Sequence, residues 1–196
     1  MKRRDIEKEI KTYWFKKHKA ILTQCGELQI LDWREPGTSS YYCRYIFDNN
    51  KIYISGDIGA AVFRLTWKAD INSFNDINIG YFEEKLEAYS GDRRDFDPHE
   101  AVSRIKEWKK ELKENGTKFD KEIMANLIES ADSCSRKEEW AYEYINGTYN
   151  DFIRELDDDY WEWVYNIGDV IPCRVKAYLI GLKMASKQLQ EVSINV

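Results

Sequence analysis

The stretch Tyr41–Trp67 decides the fold, and it reads YYCRYIFDNNKIYISGDIGAAVFRLTW. Aromatic and β-branched residues, which favour strands, dominate both Tyr41–Phe47 and Lys51–Ser55. The intervening residues 48–50, DNN, indicate a tight turn, because Asn and Asp tolerate positive φ. The spacing therefore predicts a β-hairpin in which alternate side chains share one face. The side chains expected on that face are Tyr45, Phe47, Ile52 and Ile54.

Neighbouring segments extend this sheet on both sides. Leu28–Trp33 (LQILDW) partly alternates apolar and polar residues, and Ala61–Trp67 (AVFRLTW) follows a turn that contains two glycines. The sequence therefore predicts an antiparallel sheet of three to four strands within residues 27–68. Residues 1–20 predict a basic helix, because apolar residues there recur at helical spacing.

Helical signals dominate residues 70–192. Apolar residues recur every three or four positions, and the aspartates before Pro98 and Lys121 are typical of helix starts. One predicted helix has the apolar stripe Ile79, Phe82, Leu86 and Tyr89. Strands followed by helices predict an α+β fold, with residues 1–196 as a single domain.

Composition and charge exclude several classes of protein. The 196 residues include 30 Lys+Arg and 35 Asp+Glu, for a net charge of −5, and 14% are aromatic. The aromatic content argues against intrinsic disorder, and the acidic balance argues against a protein that coats nucleic acid by bulk positive charge. No apolar run approaches the roughly 20 residues of a membrane span, and no secretory signal follows the basic start MKRRDIEKEIK. We therefore expect a cytoplasmic protein.

The cysteines and short motifs give no sign of a metal or cofactor site. Cys25, Cys43, Cys134 and Cys173 are far apart, whereas structural zinc sites draw ligands from closely spaced pairs. We expect four reduced thiols, because no export signal is present. Phosphate-loop, nucleophile-elbow and zincin motifs are absent. The sequence therefore predicts no cofactor and no metal, and it favours a binding protein over an enzyme.

The segment TYNDFIRELDDDYWEW, residues 148–163, carries the clearest functional signal. We expect one helix from Thr148 to about Ile167, opened by a capping box of Thr148 with Asp151. On that helix the apolar side chains gather on one side and the carboxylates on the other. A solvated helix face explains this pattern, and so does an acidic surface that meets a cationic partner. The residues expected to bind a partner are Asp151, Glu155, Asp157, Asp158, Asp159, Trp161 and Glu162.

The aromatic surplus extends this hypothesis. Seven Trp, 13 Tyr and eight Phe are hard to bury in 196 residues, so some are expected at an exposed binding surface. The candidates are Tyr41, Tyr42, Trp140, Tyr142, Tyr144, Trp161 and Tyr165.

Two other segments offer alternative functions. Asp95, Asp97 and His99, with Asp57 from a GDIG turn, have the residue types of a metal-dependent nuclease or another hydrolase. The same residues also fit helix capping and a simple turn. The basic segment Lys2–Lys19 fits direct nucleic-acid binding by a small regulatory protein, and it also fits a solvated helix face.

Two segments, GDIGAAVFRLTW (56–67) and GYFEEKLEAYSGDRRDFD (80–97), resemble a family of small, mostly uncharacterised proteins of phages and mobile elements in Gram-positive bacteria. Such genetic neighbourhoods are rich in anti-defence proteins. The resemblance therefore implies an anti-CRISPR protein that binds a Cas9-type nuclease, a ribonucleoprotein, in the host cytoplasm. An acidic surface would then act as a nucleic-acid mimic. No functional residues carry over from the family, and residues 116–196 lie outside the resemblance.

Overall fold

The chain forms two compact units, each with its own core. The computed structural model describes residues 5–145 and 149–194. The sheet unit comprises the described residues up to Arg93 and from Ile171 onward, and the helical unit comprises those from Arg94 to Val170. A single domain over residues 1–196 stays a prediction, because unfolding measurements decide whether the two units cooperate.

The fold class is α+β, as predicted, but the sheet has six antiparallel strands and not three to four. The strands follow one another in chain order across the sheet. Their bounds are β1 Lys19–Cys25, β2 Leu28–Arg34, β3 Cys43–Asp48, β4 Lys51–Gly56, β5 Ala61–Arg64 and β6 Leu86–Tyr89. The predicted hairpin is confirmed as β3–β4, in which Tyr45 pairs with Ile54 and Phe47 pairs with Ile52. Asn49 in its turn has φ +50°.

Strand β6 occupies positions where the sequence predicted a helix, and most of β1, residues 21–25, lies where the sequence predicted no element. The N-terminal helix is short, because α1 spans Ile6–Glu9 and a π-helical turn over Ile10–Trp14 ends it before β1 begins. Helix α2 spans only Ile79–Glu84, so Leu86 lies in β6 and pairs with β5. At β6, pairing with the neighbouring strand β5 overrides the apolar spacing that indicated a helix.

Helix α7, Cys173–Ile194, packs on the inner face of the sheet and completes the core of the sheet unit. Tyr45 Oη donates a hydrogen bond to the carbonyl of Tyr178 at 3.1 Å. The two elements approach closely at Gly181, where a Cβ atom would lie 2.5 Å from Tyr45 Oη and 3.2 Å from Trp33 Cδ1. The largest side chains of this core are Trp33, Tyr45, Tyr178, Phe15, Phe47, Phe63, Phe74 and Phe82.

Within residues 94–145 and 149–170, the helical unit has four α-helices around a separate core. Its elements are β7 Asp95–Phe96, α3 Pro98–Glu114, α4 Lys121–Ser133, α5 Lys137–Ile145, α6 Tyr149–Leu156, 3-10 turns at Tyr160–Glu162 and Val164–Asn166, and β8 Asp169–Val170, which pairs with β7. The predicted starts of α3 and α4 are confirmed. Asp97 accepts a hydrogen bond from the backbone N–H of His99 at 3.0 Å, and Asp120 accepts one from that of Glu122 at 2.8 Å. Among residues 5–145 and 149–194, no helix is long and apolar enough to cross a membrane.

Candidate partner-binding surface

The acidic segment, residues 151–162, contains all seven side chains that the sequence assigned to partner binding. Five of its carboxylates are exposed, and so is the indole of Trp161, to 65%. These carboxylates belong to Asp151, Glu155, Asp158, Asp159 and Glu162. Arg154 is the one base within the segment, and it pairs with Asp151 at 2.9 Å. The segment therefore presents a concentrated and mostly uncompensated negative charge to solvent.

Helix α6 ends at Leu156, which corrects the prediction of one helix from Thr148 to about Ile167. The capping box predicted at Thr148 lies outside the described residues. Asp157 ends the helix, because its carboxylate accepts hydrogen bonds from the backbone N–H of Asp159 at 3.0 Å and from Trp163 Nε1 at 2.9 Å. Aspartate side chains compete in this way with helical hydrogen bonding. The carboxylates therefore follow a helix, a turn and a 3-10 helix instead of one straight stripe.

Asp157 differs from the other six side chains of the acidic segment. It is half-buried, and both of its carboxylate oxygens already accept hydrogen bonds within the segment. Its geometry thus serves the local fold, and its role in partner binding stays a prediction.

A second acidic feature of the helical unit is a cleft of about 750 Å³ between α4 and α5. We call it the acidic cleft, because its lining among the described residues includes four glutamates and no Lys or Arg. These glutamates are Glu129, Glu138, Glu139 and Glu143. Ser130 Oγ on α4 donates a hydrogen bond to Glu143 Oε2 on α5 at 3.3 Å and so links the two helices.

Glu139 is held firmly in its charged form. The backbone N–H and the hydroxyl of Ser135 donate to it at 2.7 and 2.9 Å, and Arg136 Nη2 donates at 3.0 Å. These bonds, led by the one from the backbone N–H, lower the pKa of Glu139 from 4.5 to about 2. Glu139 therefore fixes the start of α5, whereas the carboxylates of Glu129 and Glu138 are exposed to solvent.

Charge is divided unevenly between the two units. Residues 94–170 carry 11 Lys+Arg and 20 Asp+Glu, a net charge of −9, and the remaining residues carry 19 and 15, a net charge of +4. Sequence reasoning found the acidic segment but missed the acidic cleft, because the cleft joins glutamates from two helices. The signal that points to it is the sequence from Glu138 to Glu143, which places three glutamates and Tyr142 on α5.

Four of the seven aromatic residues expected at an exposed surface are not exposed. The exposed ones are Tyr142, Trp161 and Tyr165. Trp140 and Tyr144 are buried, which corrects the prediction, and Tyr41 and Tyr42 are half-buried. Trp140 can lie in the core because its indole N–H donates to the carbonyl of Val164 at 2.7 Å.

Two residues of the alternative hydrolase site, Asp57 and Asp97, accept hydrogen bonds from backbone N–H groups. Asp57 belongs to the sheet unit and accepts a hydrogen bond from a backbone N–H at 2.8 Å. In the helical unit, Asp97 caps α3, Asp95 lies in β7, and His99 Nδ1 lies 3.8 Å from Asp132 Oδ1. In the part of the chain that the structure describes, no group of three or more His, Cys, Asp or Glu side chains is placed to hold a metal ion. The hydrolase hypothesis stays a prediction.

The basic segment Lys2–Lys19 is only partly described. Within its described part, Lys11 pairs with Glu7 at 3.4 Å, and Lys17 pairs with Glu35 at 3.3 Å. These exposed pairs reduce the positive charge that the segment offers to a phosphate backbone. Direct nucleic-acid binding through this segment stays a prediction.

Comparisons with models of known protein families, with curated proteins and with solved structures found no match.

Proposed function

We propose that this chain is a phage-type anti-defence protein, an anti-CRISPR inhibitor that acts in the host cytoplasm. Its acidic segment binds a Cas9-type nuclease and blocks the groove that holds nucleic acid. The observation that carries the proposal is the density of charge between Asp151 and Glu162, where six carboxylates and one arginine occupy 12 residues. Five of those carboxylates are exposed beside an exposed Trp161.

The physical basis is competition for positive charge. A groove that binds a nucleic-acid backbone is lined with Lys and Arg, and an acidic surface attracts the same side chains. Complementary charges raise the association rate of two proteins. This effect weakens as the salt concentration rises, because ions screen exposed charges beyond about 8–10 Å. Trp161 adds an apolar anchor of the kind that dominates binding energy at protein interfaces.

The test is inhibition of DNA cleavage by a Cas9-type ribonucleoprotein. We expect Asp158→Lys with Glu162→Lys to raise the concentration needed for half-inhibition by at least about tenfold, because two attractive contacts become repulsive. The matched control is Asp76→Lys with Glu84→Lys, which makes the same change of charge at exposed carboxylates of the sheet unit. Inhibition by the control should stay within about twofold of the wild type.

Three outcomes would overturn the proposal. One is unchanged inhibition by the Asp158/Glu162 variant while its circular dichroism spectrum is native. Another is an equal loss of inhibition in both double variants, which would mean that net charge alone causes the loss. The third is failure of the wild-type chain to bind the ribonucleoprotein even at low salt. Mg²⁺-dependent cleavage of nucleic acid by the purified chain, abolished by EDTA and by His99→Ala, would favour the hydrolase hypothesis instead.

A further inference from the structure

Strand β1 is an open edge of the six-stranded sheet. Six of its seven residues are exposed, among them Ile21 at 47% and Leu22 at 38%. The strand KAILTQC contains no proline and one charge, Lys19. Natural proteins normally protect long apolar edges with charges, prolines, bulges or a covering element, because an open edge pairs with other strands. Within residues 5–145 and 149–194, none of these devices protects most of the edge.

The opposite edge of the sheet shows what protection looks like in the same molecule. Strand β6 has only four residues, and Arg93 Nη2 donates hydrogen bonds to the carbonyls of Leu86 at 2.9 Å and Glu87 at 3.3 Å. Among the described residues, comparable cover of β1 exists only at the start, where Gln188 Oε1 on α7 accepts a hydrogen bond from the N–H of Ala20 at 2.8 Å.

The pairing of β1 with β2 determines which backbone groups point outward. Cys25 pairs with Leu28 across a two-residue turn, so Cys25 exchanges hydrogen bonds with β2, and every second residue before it does the same. The backbone N–H and C=O groups of Ala20, Leu22 and Gln24 therefore face outward. The bond from Ala20 to Gln188 agrees with this alternation. Leu22 and Gln24 have no backbone partner on this side among the described residues.

We propose that β1 pairs with β1 of a second copy of this chain, antiparallel and about a twofold axis at Thr23. In this register Leu22 of each copy faces Gln24 of the other, and the outward groups of these two residues form four inter-chain hydrogen bonds. The exposed side chains of Ile21 and Cys25 then lie opposite each other. The result is a continuous twelve-stranded sheet across the dimer.

Charge complementarity selects this register. With Thr23 on the axis, Lys19 of each copy lies near the β1–β2 turn of the other copy, and this turn holds Glu27. Both side chains are exposed, and neither forms an ion pair among the described residues. A register centred on Leu22 would set Lys19 against Cys25 and would require the N–H of Ala20, which Gln188 already occupies.

The first test measures the oligomeric state of the full chain by sedimentation velocity over a concentration series. We expect a reversible monomer–dimer equilibrium. Gln24→Pro removes an outward N–H that β2 does not use, and it should raise the dimer dissociation constant by at least about tenfold. Gln24→Ala, the matched control, keeps that N–H and should stay within about threefold of the wild type. A chain that is monomeric up to its solubility limit would overturn the proposal and leave the edge to a strand of another protein.

The second test fixes the register through disulfide formation in a Cys25→Ser background. Thr23→Cys should give a cross-linked dimer under mild oxidation with diamide, because residues at a non-hydrogen-bonded position on the axis are close enough for a disulfide. Gln24→Cys in the same background should not cross-link, since the two copies of residue 24 are offset along the strands. Equal cross-linking of both variants would overturn the register.

Charge exchange provides an independent check of the same register. Lys19→Glu should weaken the dimer severalfold, because the new carboxylate at position 19 of each copy then repels Glu27 of the other copy. Lys19→Glu with Glu27→Lys should restore the wild-type dissociation constant. Failure of the double variant to recover, while both proteins keep a native circular dichroism spectrum, would contradict the proposed pairing.

Discussion

The two units use their charged residues in opposite ways. In the sheet unit, acids and bases alternate on the outer face of the sheet. Asp32 pairs with Arg44 at 2.8 Å, and Glu87 pairs with Lys51 at 3.2 Å and Arg64 at 2.8 Å. In the helical unit, carboxylates accumulate in the acidic segment and around the acidic cleft with few bases beside them.

This difference in surface charge is not required by the fold of either unit. Both cores consist mainly of apolar side chains, so either surface pattern is compatible with a stable unit. Like charges at short spacing cost roughly a few tenths of a kcal/mol per pair on a helix. The helical unit carries that cost, whereas the sheet unit neutralises its charges locally. An uncompensated charge that the fold does not need is a reason to look for a partner.

The largest expected effect tests whether the two cores are energetically separate. Trp140→Ala removes the largest buried side chain of the helical unit and its hydrogen bond to the Val164 carbonyl. We expect a loss of about 3–5 kcal/mol in the stability of that unit. Hydrogen exchange should show lost protection in α3–α6 and retained protection in β2–β5.

The matched control is Trp161→Ala, which removes an exposed indole from the same unit. Its effect on stability should stay within about 0.5 kcal/mol. If Trp140→Ala removes protection from both units together, the two units form one cooperative domain, as the sequence predicted for residues 1–196.

A smaller effect is expected at the helix–sheet contact of the sheet unit. Gly181→Ala places a methyl group 2.5 Å from Tyr45 Oη, and this hydroxyl is buried and bonded to α7. We expect a net loss of about 1–3 kcal/mol, measured by urea denaturation, because overpacking exceeds the gain in helix propensity. Gly80→Ala in α2 is the control. Its nearest neighbour would be Asn78 Oδ1 at 3.5 Å, an ordinary contact, so its stability should be unchanged or slightly higher.

The smallest expected effect is a pH dependence of stability that differs between the two units. Burial lowers the pKa of His18 in the sheet unit below its ordinary value of 6.5. The unfolded chain then binds the proton more readily, so the sheet unit loses stability as the pH falls below 6.5. Hydrogen bonds to Glu139 lower its pKa to about 2, so the helical unit loses that contribution only between pH 4.5 and 2.

Urea denaturation between pH 7 and 5, followed by hydrogen exchange in each unit, measures this difference. His18→Gln should flatten the pH dependence of the sheet unit in that range, since Gln has no titrating group and its amide can still donate to the Tyr41 carbonyl. An unchanged slope in the variant would assign the pH dependence to other residues.

The sequence predicted what neighbouring residues decide. The β3–β4 hairpin and the caps of α3 and α4 depend on contacts only a few residues apart. Strand β6 was missed because Leu86 fits a helical stripe equally well. Its assignment depends on pairing with β5, which no local pattern specifies.

The sequence also predicted part of the candidate surface. The residue types of the acidic segment are plain in the sequence, and five of its carboxylates are exposed. The straight helix was wrong, because helical spacing cannot reveal that Asp157 binds Trp163 Nε1 and ends α6. Burial of Trp140 and the acidic cleft both depend on how α4, α5 and the 3-10 turns meet, which is a tertiary property.

The order of the elements along the chain has a consequence for biosynthesis. The helix that covers the inner face of the sheet, α7, is made after the 77 residues of the helical unit. At about 5–20 residues per second, the ribosome leaves that apolar face bare for several seconds or more after the sixth strand is complete. Apolar surface that is exposed in this way promotes aggregation and is the kind of surface that chaperones bind.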